Sequence, residues 1–229
     1  MLIERGQKKE AMVSYNKALA INPEFTEAQF NLANVFRDLG KQDEAVASYH
    51  KILAINLDFA EAQVSLAIYS WVHAKQDDRV NTLSHINPKT FLRSSKTLPS
   101  YYVLLKKLTE YRADHPQKYE LSKNIPTLFA LGESHCLPPA HTSVSLNGTQ
   151  YRVEPRIIIG CRAWHLENTH TNIYKIQFER ISNSLASGEM VVVMFGEIDC
   201  RPNEGILMHH KKTREGVGQG YLRACPILC

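Results

Sequence analysis

Three short segments of the chain combine glycine with polar, nucleophilic and charged side chains. They cover residues 132–136, 160–162 and 196–201, and each directly follows a short apolar run. Apolar runs without alternation are typical of strands that are buried on both faces of a parallel sheet. Ligands of such sheets bind at the carboxyl ends of the strands. We therefore expect these segments to meet at one edge of a sheet and to form a polar site there.

The elements around these segments predict how the sheet is connected. The apolar runs are residues 127–131, 156–159 and 190–195. A long helical stretch, residues 163–185, separates the last two, and a strand–helix–strand unit of this kind crosses over with a right hand. Residues 143–153 alternate around Asn147-Gly148, which predicts an antiparallel hairpin. This part of the chain therefore has the pattern of an α/β domain with a partial parallel sheet.

The N-terminal third contains an internal repeat. The segment that begins at Ala11 aligns without a gap with the segment that begins at Ala45, a shift of 34 residues. Apolar residues recur at three- and four-residue steps on both sides of Gly40, which predicts helix, turn and helix in each unit. A fixed period of about 20–50 residues is typical of stacked repeats.

This period and pattern resemble the tetratricopeptide repeat (TPR). Leu32 and Ala33 stand where that family packs one helix on another, and Gly40 stands at the turn between helices. The second-helix packing positions are filled by Ala45, Tyr49 and Ile52. The resemblance implies a short helical solenoid of about two and a half repeats over residues 1–88.

A TPR array implies binding of a protein or peptide in the concave groove formed by the first helices. Helical spacing places several polar and aromatic side chains on one side of the predicted helix 26–39. We interpret them as the lining of the groove: Glu27, Phe30, Asn34, Arg37 and Asp38. Such a mixed surface suits an extended peptide, and the alternative is an ordinary solvated helix face.

The segment FALGESHC, residues 129–136, resembles the first block of the SGNH (GDSL-like) hydrolases, whose sheet is flavodoxin-like. The resemblance implies that Ser134 is a catalytic nucleophile and that Gly160 contributes to an oxyanion hole. Asp199 holds the Asp position of the third block, but Ile198 replaces the Asn that donates to the oxyanion. An Ile side chain cannot donate a hydrogen bond, and losing one such donor costs about 10²–10³ in rate.

The base that this family uses lies in a late Asp-x-x-His block, and no Asp follows Asp199 in this chain. We therefore expect a truncated, inactive SGNH-like domain attached to an interaction module. The alternative is a serine esterase or acyl-hydrolase in which His209 or His210 comes within about 3 Å of the Ser134 hydroxyl. A third interpretation groups Glu133 and Asp199 with Glu204 as a metal-binding cluster, but their spacing matches no metal motif. No metal or cofactor is therefore predicted.

Composition excludes several other classes of protein. The chain has 229 residues, of which 44% are hydrophobic and 22% charged, as in ordinary globular proteins. A net charge of +4 is too balanced to predict nucleic-acid binding. The longest apolar run, residues 190–195, is too short for a membrane helix, and the first residues lead us to expect no secretory signal. The odd number of cysteines, five, favours free thiols and a cytoplasmic protein.

The distribution of charge predicts three parts. Residues 1–88 hold nine Lys/Arg and eleven Asp/Glu, whereas residues 89–126 hold eight and three. We therefore predict TPR-type repeats over 1–88, a basic helical linker over 89–126 and the SGNH-like α/β domain over 127–229. The basic stretch is interpreted as a solvated connector, with a surface for an acidic partner or a phosphate as the alternative.

Overall fold

A computed structural model of the chain describes residues 2–73, 83, 86–92, 97–119, 124–162, 165–166 and 169–195. The N-terminal part of the described chain is helical. Its helices are α1 (Leu2–Ile21), α2 (Thr26–Asp38), α3 (Gln42–Ile55) and α4 (Ala60–Val72). The helices pack in the order of the chain, α1 on α2, α2 on α3 and α3 on α4, as stacked repeats require.

The turn between α2 and α3 forms at Gly40, as the repeat pattern predicts. Gly40 has a φ of +80°, a backbone conformation that glycine adopts without steric cost. The packing positions inferred from the repeat are buried, with Ala33 and Ile52 fully enclosed and Ala45 1% exposed. Local sequence therefore determines both the turn and the contact between the two helices.

Helix α4 is buried along almost its whole length because it packs against α3, α5 (Leu98–Asp114) and the sheet. Trp71, near its C-terminal end, is only 1% exposed. The Trp71 Nε1 donates a hydrogen bond of 3.0 Å to the carbonyl of Leu137, in the loop after the first strand. This hydrogen bond therefore connects α4 directly to the C-terminal half of the chain.

Helix α5 forms in the basic stretch, but it is not a solvated connector. Its side chains Leu98, Tyr101 and Leu105 are buried in the core that the repeats share with the sheet. Lys106 and Lys107 lie on the exposed face of the same helix. The positive charge of this stretch therefore belongs to the outer side of a core helix, and charge counting alone could not detect the buried side.

The described strands are β1 (Thr127–Gly132), β2 (Ser143–Leu146), β3 (Thr149–Ile157) and β4 (Met190–Met194). They form one sheet in the order β2-β3-β1-β4. Strand β1 runs parallel to β3 and β4, whereas β2 is antiparallel to β3. Asn147 and Gly148 both have positive φ, as a two-residue hairpin turn requires. The predicted hairpin and parallel pairing are therefore present.

Three details of the predicted sheet are wrong. The second arm of the hairpin and the second parallel strand form one continuous strand, β3. The crossover helix does not span residues 163–185 but begins at Ile173, as α6 (Ile173–Ser184), because the Asn172 side chain caps it. Strand β4 is not buried on both faces, since Val191 and Val192 are each 39% exposed.

The repeats and the sheet share one hydrophobic core. Buried residues from both halves belong to the same cluster, among them Ala33, Trp71, Leu105, Ala130 and Val153. On the α6 side, the Arg180 Nη1 also donates a hydrogen bond of 3.4 Å to the Asp38 carbonyl beside the Gly40 turn. None of the described helices is both long enough and apolar enough to cross a membrane.

Candidate functional site

Ser134 lies two residues after the C-terminal end of β1, at the start of the short 3₁₀ helix Ser134–Cys136. Its backbone N–H donates a hydrogen bond of 2.5 Å to Oε2 of Glu133, and its hydroxyl donates to the same oxygen. Glu133 therefore caps the 3₁₀ turn and also engages the hydroxyl that was expected to be the nucleophile.

The Glu133 carboxylate is buried, with 4% of the residue exposed. Its second oxygen, Oε1, accepts a hydrogen bond of 2.6 Å from the hydroxyl of Tyr101 on α5. Burial, with the charge of Glu133 as a further cause, raises the pKa of Tyr101 well above its ordinary value. The phenol therefore keeps its proton near neutral pH and supplies a donor that this buried carboxylate needs.

Two histidines in the described part of the chain, His141 and His165, make other contacts. His141 Nε2 lies 2.7 Å from the carbonyl of Trp71, and His165 Nδ1 accepts a hydrogen bond of 2.9 Å from the backbone of Arg162. The His165 ring also stacks on Tyr174 at 4.1 Å. Burial and the positive charge of Arg162 lower the pKa of His165 to about 4.

No histidine is hydrogen-bonded to the Ser134 hydroxyl within the residues that the structure describes. His165 and His170 were expected on the exposed face of the crossover helix, but both precede α6, and His165 is half-buried. The third segment, with Asp199, and the basic stretch with His209 and His210 lie outside the described residues.

The first two segments meet at the carboxyl edge of the sheet, as the topology predicts. The Ile158 N–H, just after β3, donates a hydrogen bond of 2.8 Å to the carbonyl of Gly132 at the end of β1. Gly160 follows in a turn with a φ of +75°. Cys136 and Cys161, from the two segments, are both buried. Burial raises the pKa of Cys136 to about 12, so this thiol is a packing group and not a nucleophile.

The groove residues predicted on α2 lie beside this edge. A cavity of about 490 Å³ is lined by Glu27, Phe30, Asn34 and Arg37 from the repeats and by Gly160 from the loop after β3. Asp38 is not part of this lining and instead pairs with Lys8 at 2.7 Å and with Arg37 at 3.1 Å. The structure therefore brings together four of the five predicted groove residues and one residue from the predicted strand-edge site.

Two of these groove residues also have structural contacts. The Phe30 ring is 8% exposed and packs against Tyr49 and Phe59 at ring distances of 5.9 and 5.5 Å. The Asn34 Oδ1 accepts a hydrogen bond of 3.1 Å from the Tyr49 hydroxyl. Phe30 is therefore chiefly a core residue that presents one edge to the cavity, while Glu27 is exposed.

Sequence reasoning missed several residues around the site. Tyr101 and Trp71, on distant helices, form hydrogen bonds to the loop that follows β1. The buried Glu61 accepts a hydrogen bond of 2.5 Å from the backbone of Leu92, and both residues line the cavity of about 490 Å³. The available signal for Trp71 was a large aromatic residue at the end of an unusually apolar helix. Among the described residues, no group of three His, Cys, Asp or Glu side chains is placed to hold a metal ion.

Comparison with known proteins supports the repeat assignment. Residues 1–37 match the family described as TPR repeat, and residues 26–59 match the family described as tetratricopeptide repeat. Neither match extends beyond residue 59, so the resemblance of the C-terminal half to SGNH hydrolases rests on its sequence blocks alone. No curated protein shows significant similarity to this chain. The stacked helices, the Gly40 turn and these matches together show that the N-terminal region of the chain is built from TPR repeats.

Proposed function

We propose that this protein is an interaction module that binds an extended peptide in the cleft between α2 and the Gly160 loop. The observation that supports this function is the shared cavity, in which Glu27, Asn34 and Arg37 face a loop of the other half. Its volume of about 490 Å³ is in the range of ligand clefts, about 300–1,000 Å³. TPR repeats typically bind proteins or peptides, and this cleft is the part of the α2 surface that the sheet-containing half completes.

The lining of the cleft favours a peptide with a basic side chain. Asn31 and Asn34 present amide groups that can both donate to and accept from a peptide backbone. Glu27 contributes an exposed carboxylate and Glu61 a buried one, whereas Arg37 shares the Asp38 carboxylate with Lys8. A Lys or Arg side chain of the peptide would therefore meet net negative charge at the wall formed by α2 and α4.

A positional-scanning library of fluorescein-labelled peptides, read by fluorescence polarisation, tests this proposal. We expect peptides with a basic position to be selected, and Glu27→Lys to weaken the best peptide about three- to tenfold. Glu24→Lys is the matched control, because Glu24 is also exposed and precedes α2 but does not line the cleft. Failure to select any peptide, or equal weakening by both variants, would contradict the proposal.

The SGNH-like half is proposed to be inactive as a serine hydrolase. The alternative for this half is an active esterase or acyl-hydrolase, which the position of Ser134 near the end of β1 favours. The hydrogen bond from its hydroxyl to Glu133 supports the inactive form, because within the part of the chain that the structure describes this hydroxyl is held by a carboxylate and not by an imidazole base. Labelling with a fluorophosphonate probe separates the two. We expect no labelling of the folded protein, whereas labelling that Ser134→Ala abolishes would establish the hydrolase.

A further inference from the structure

A second and larger cavity, of about 660 Å³, lies between the repeats and the sheet. Helices α2, α3 and α4 form one wall, while β3, α6 and the end of α5 form the other. Its lining contains an unusual concentration of guanidinium groups: Arg37, Arg112, Arg152, Arg156 and Arg180. Among the described lining residues, Glu154 is the only carboxylate that could offset them.

Part of this positive charge is compensated within the protein. Arg156 pairs with Glu154 at 3.4 Å and lies over the ring of Phe129 at 4.5 Å. Arg37 forms an ion pair with Asp38, and Asp38 also forms one with Lys8. These contacts involve two of the five guanidinium groups, and Arg180 donates to the backbone carbonyl of Asp38.

Arg112 and Arg152 have no carboxylate partner within the described part of the chain. The Arg112 guanidinium lies between the rings of Tyr119, at 4.3 Å, and Trp71, at 5.8 Å. Its Nη1 and the Nε of Arg152 are buried and have no hydrogen-bond partner among these residues. Burial also lowers the pKa of Arg112. Buried donors without partners are rare in folded proteins, and these two residues line the same cavity, where an oxyanion could accept from them.

We propose that this cavity binds a small organic polyanion that carries at least two phosphate or carboxylate groups. The planar guanidinium group binds both kinds of oxyanion through paired N–H donors, which makes arginine the preferred residue for such recognition. The cavity volume suits a ligand of metabolite size, and Tyr69 and Tyr119 in its lining provide aromatic surface for an organic body. The walls from both halves of the chain favour a small molecule over a nucleic acid, which requires an open basic face.

This site is separate from the proposed peptide cleft, although Arg37 and Ile159 line both cavities. A test must therefore avoid Arg37. Arg152, on β3, lines the arginine-rich cavity but not the peptide cleft. Lys107, an exposed cation on α5 that lines neither cavity, is the matched control. Failure to bind a peptide would not contradict the proposed anion site, and failure to bind an anion would not contradict the proposed peptide cleft.

Isothermal titration calorimetry of the full chain with pyrophosphate, citrate and adenosine triphosphate tests the site. We expect at least one of these anions to bind, and Arg152→Gln to weaken it about tenfold or more, because charge-assisted hydrogen bonds are lost. Lys107→Gln should leave the affinity unchanged. Stronger binding of pyrophosphate than citrate would assign phosphate chemistry, and a further gain with adenosine triphosphate would assign a role to the organic body.

Arg152→Lys provides a second variant that retains the charge while losing the planar fork, so it is useful if the Gln variant does not fold. We expect it to weaken binding measurably, though less than Arg152→Gln. The proposal is overturned if the folded wild-type chain binds none of the three anions at about millimolar concentration. It is also overturned if the Arg152 variants bind as tightly as Lys107→Gln.

Discussion

The hydroxyl of Tyr101 lies 2.6 Å from Oε1 of Glu133 and donates a hydrogen bond to it. Tyr101 belongs to α5, and Glu133 immediately precedes Ser134 at the end of β1. One buried contact thus joins the helix of the basic stretch to the strand edge on which hydrolase chemistry was expected. The same carboxylate engages the Ser134 hydroxyl, so the arrangement stabilises the loop while occupying its potential nucleophile.

Replacing Tyr101 by Phe should destabilise the protein by about 1–3 kcal/mol, because a buried carboxylate oxygen loses its donor while the aromatic ring remains. Urea denaturation measures the change in the free energy of unfolding. Tyr102→Phe is the matched control on the same helix, since Tyr102 is only partly buried and its ring contact with Phe91 does not need the hydroxyl. Similar small effects of both substitutions would show that the Tyr101 hydrogen bond contributes little.

Replacing Gly132 by Ala should disrupt the pairing of β1 with β4. A Cβ at this position would collide with the backbone carbonyl of Met194, which cannot move without shifting the neighbouring strand. We expect a loss of about 1–3 kcal/mol in the free energy of unfolding and faster amide exchange in β4. Gly148→Ala meets open space but is strained at a φ of +80°, so it should loosen the hairpin and not the pairing of β1 with β4. Unchanged β4 exchange in Gly132→Ala would contradict the strand register.

His165 should make the stability of the protein decrease in mild acid. Its pKa is lowered from 6.5 to about 4 by burial and by Arg162, so the folded state disfavours the protonated ring. As pH falls from about 6.5 towards 4, the unfolded state binds this proton more readily, and the stability that the neutral ring contributes at higher pH is lost. A side-chain NMR titration should give a midpoint near 4 for His165.

Substitution of His165 by Gln checks the energetic part of that prediction. The variant lacks the titrating ring, so it should lose less stability than the wild type between neutral pH and about pH 4.5. Urea denaturation at both pH values provides the comparison. An equal loss in the two proteins, or an NMR midpoint near 6.5, would show that burial and the charge of Arg162 do not affect the protonation of His165.

The Cys136 thiol should resist alkylation in the folded protein. It is fully buried, and its pKa is raised to about 12, first by burial and second by the charge of Glu133. Little thiolate therefore forms at pH 8, and the reagent has no access. Peptide mapping by mass spectrometry after iodoacetamide treatment should find Cys136 unmodified in buffer and modified in concentrated urea. Rapid modification in buffer would show that the loop after β1 opens readily.

The features that followed from the sequence alone are local. The turn at Gly40, the hairpin at Asn147-Gly148 and the strand at residues 127–131 each depend on residues that are close in the chain. A glycine or Asn-Gly pair that permits a positive φ, an alternating pattern and an uninterrupted apolar run can each be recognised in a short stretch of sequence. For the helices, the 34-residue repeat adds a second copy of the same pattern. The helix predicted for residues 163–185 was too long because periodicity did not reveal the cap at Asn172.

The features that only the tertiary structure decided depend on residues that are distant in the chain. The contact of Trp71 with Leu137 joins positions 66 residues apart, and that of Tyr101 with Glu133 joins positions 32 apart. The arginine-rich cavity likewise combines Arg112 of a helix with Arg152 of a strand. Sequence pattern determined which elements form, because hydrogen bonding and burial within an element are local. The packing of the repeats against the sheet decided which side chains meet, because long-range contacts depend on how complete elements fit together.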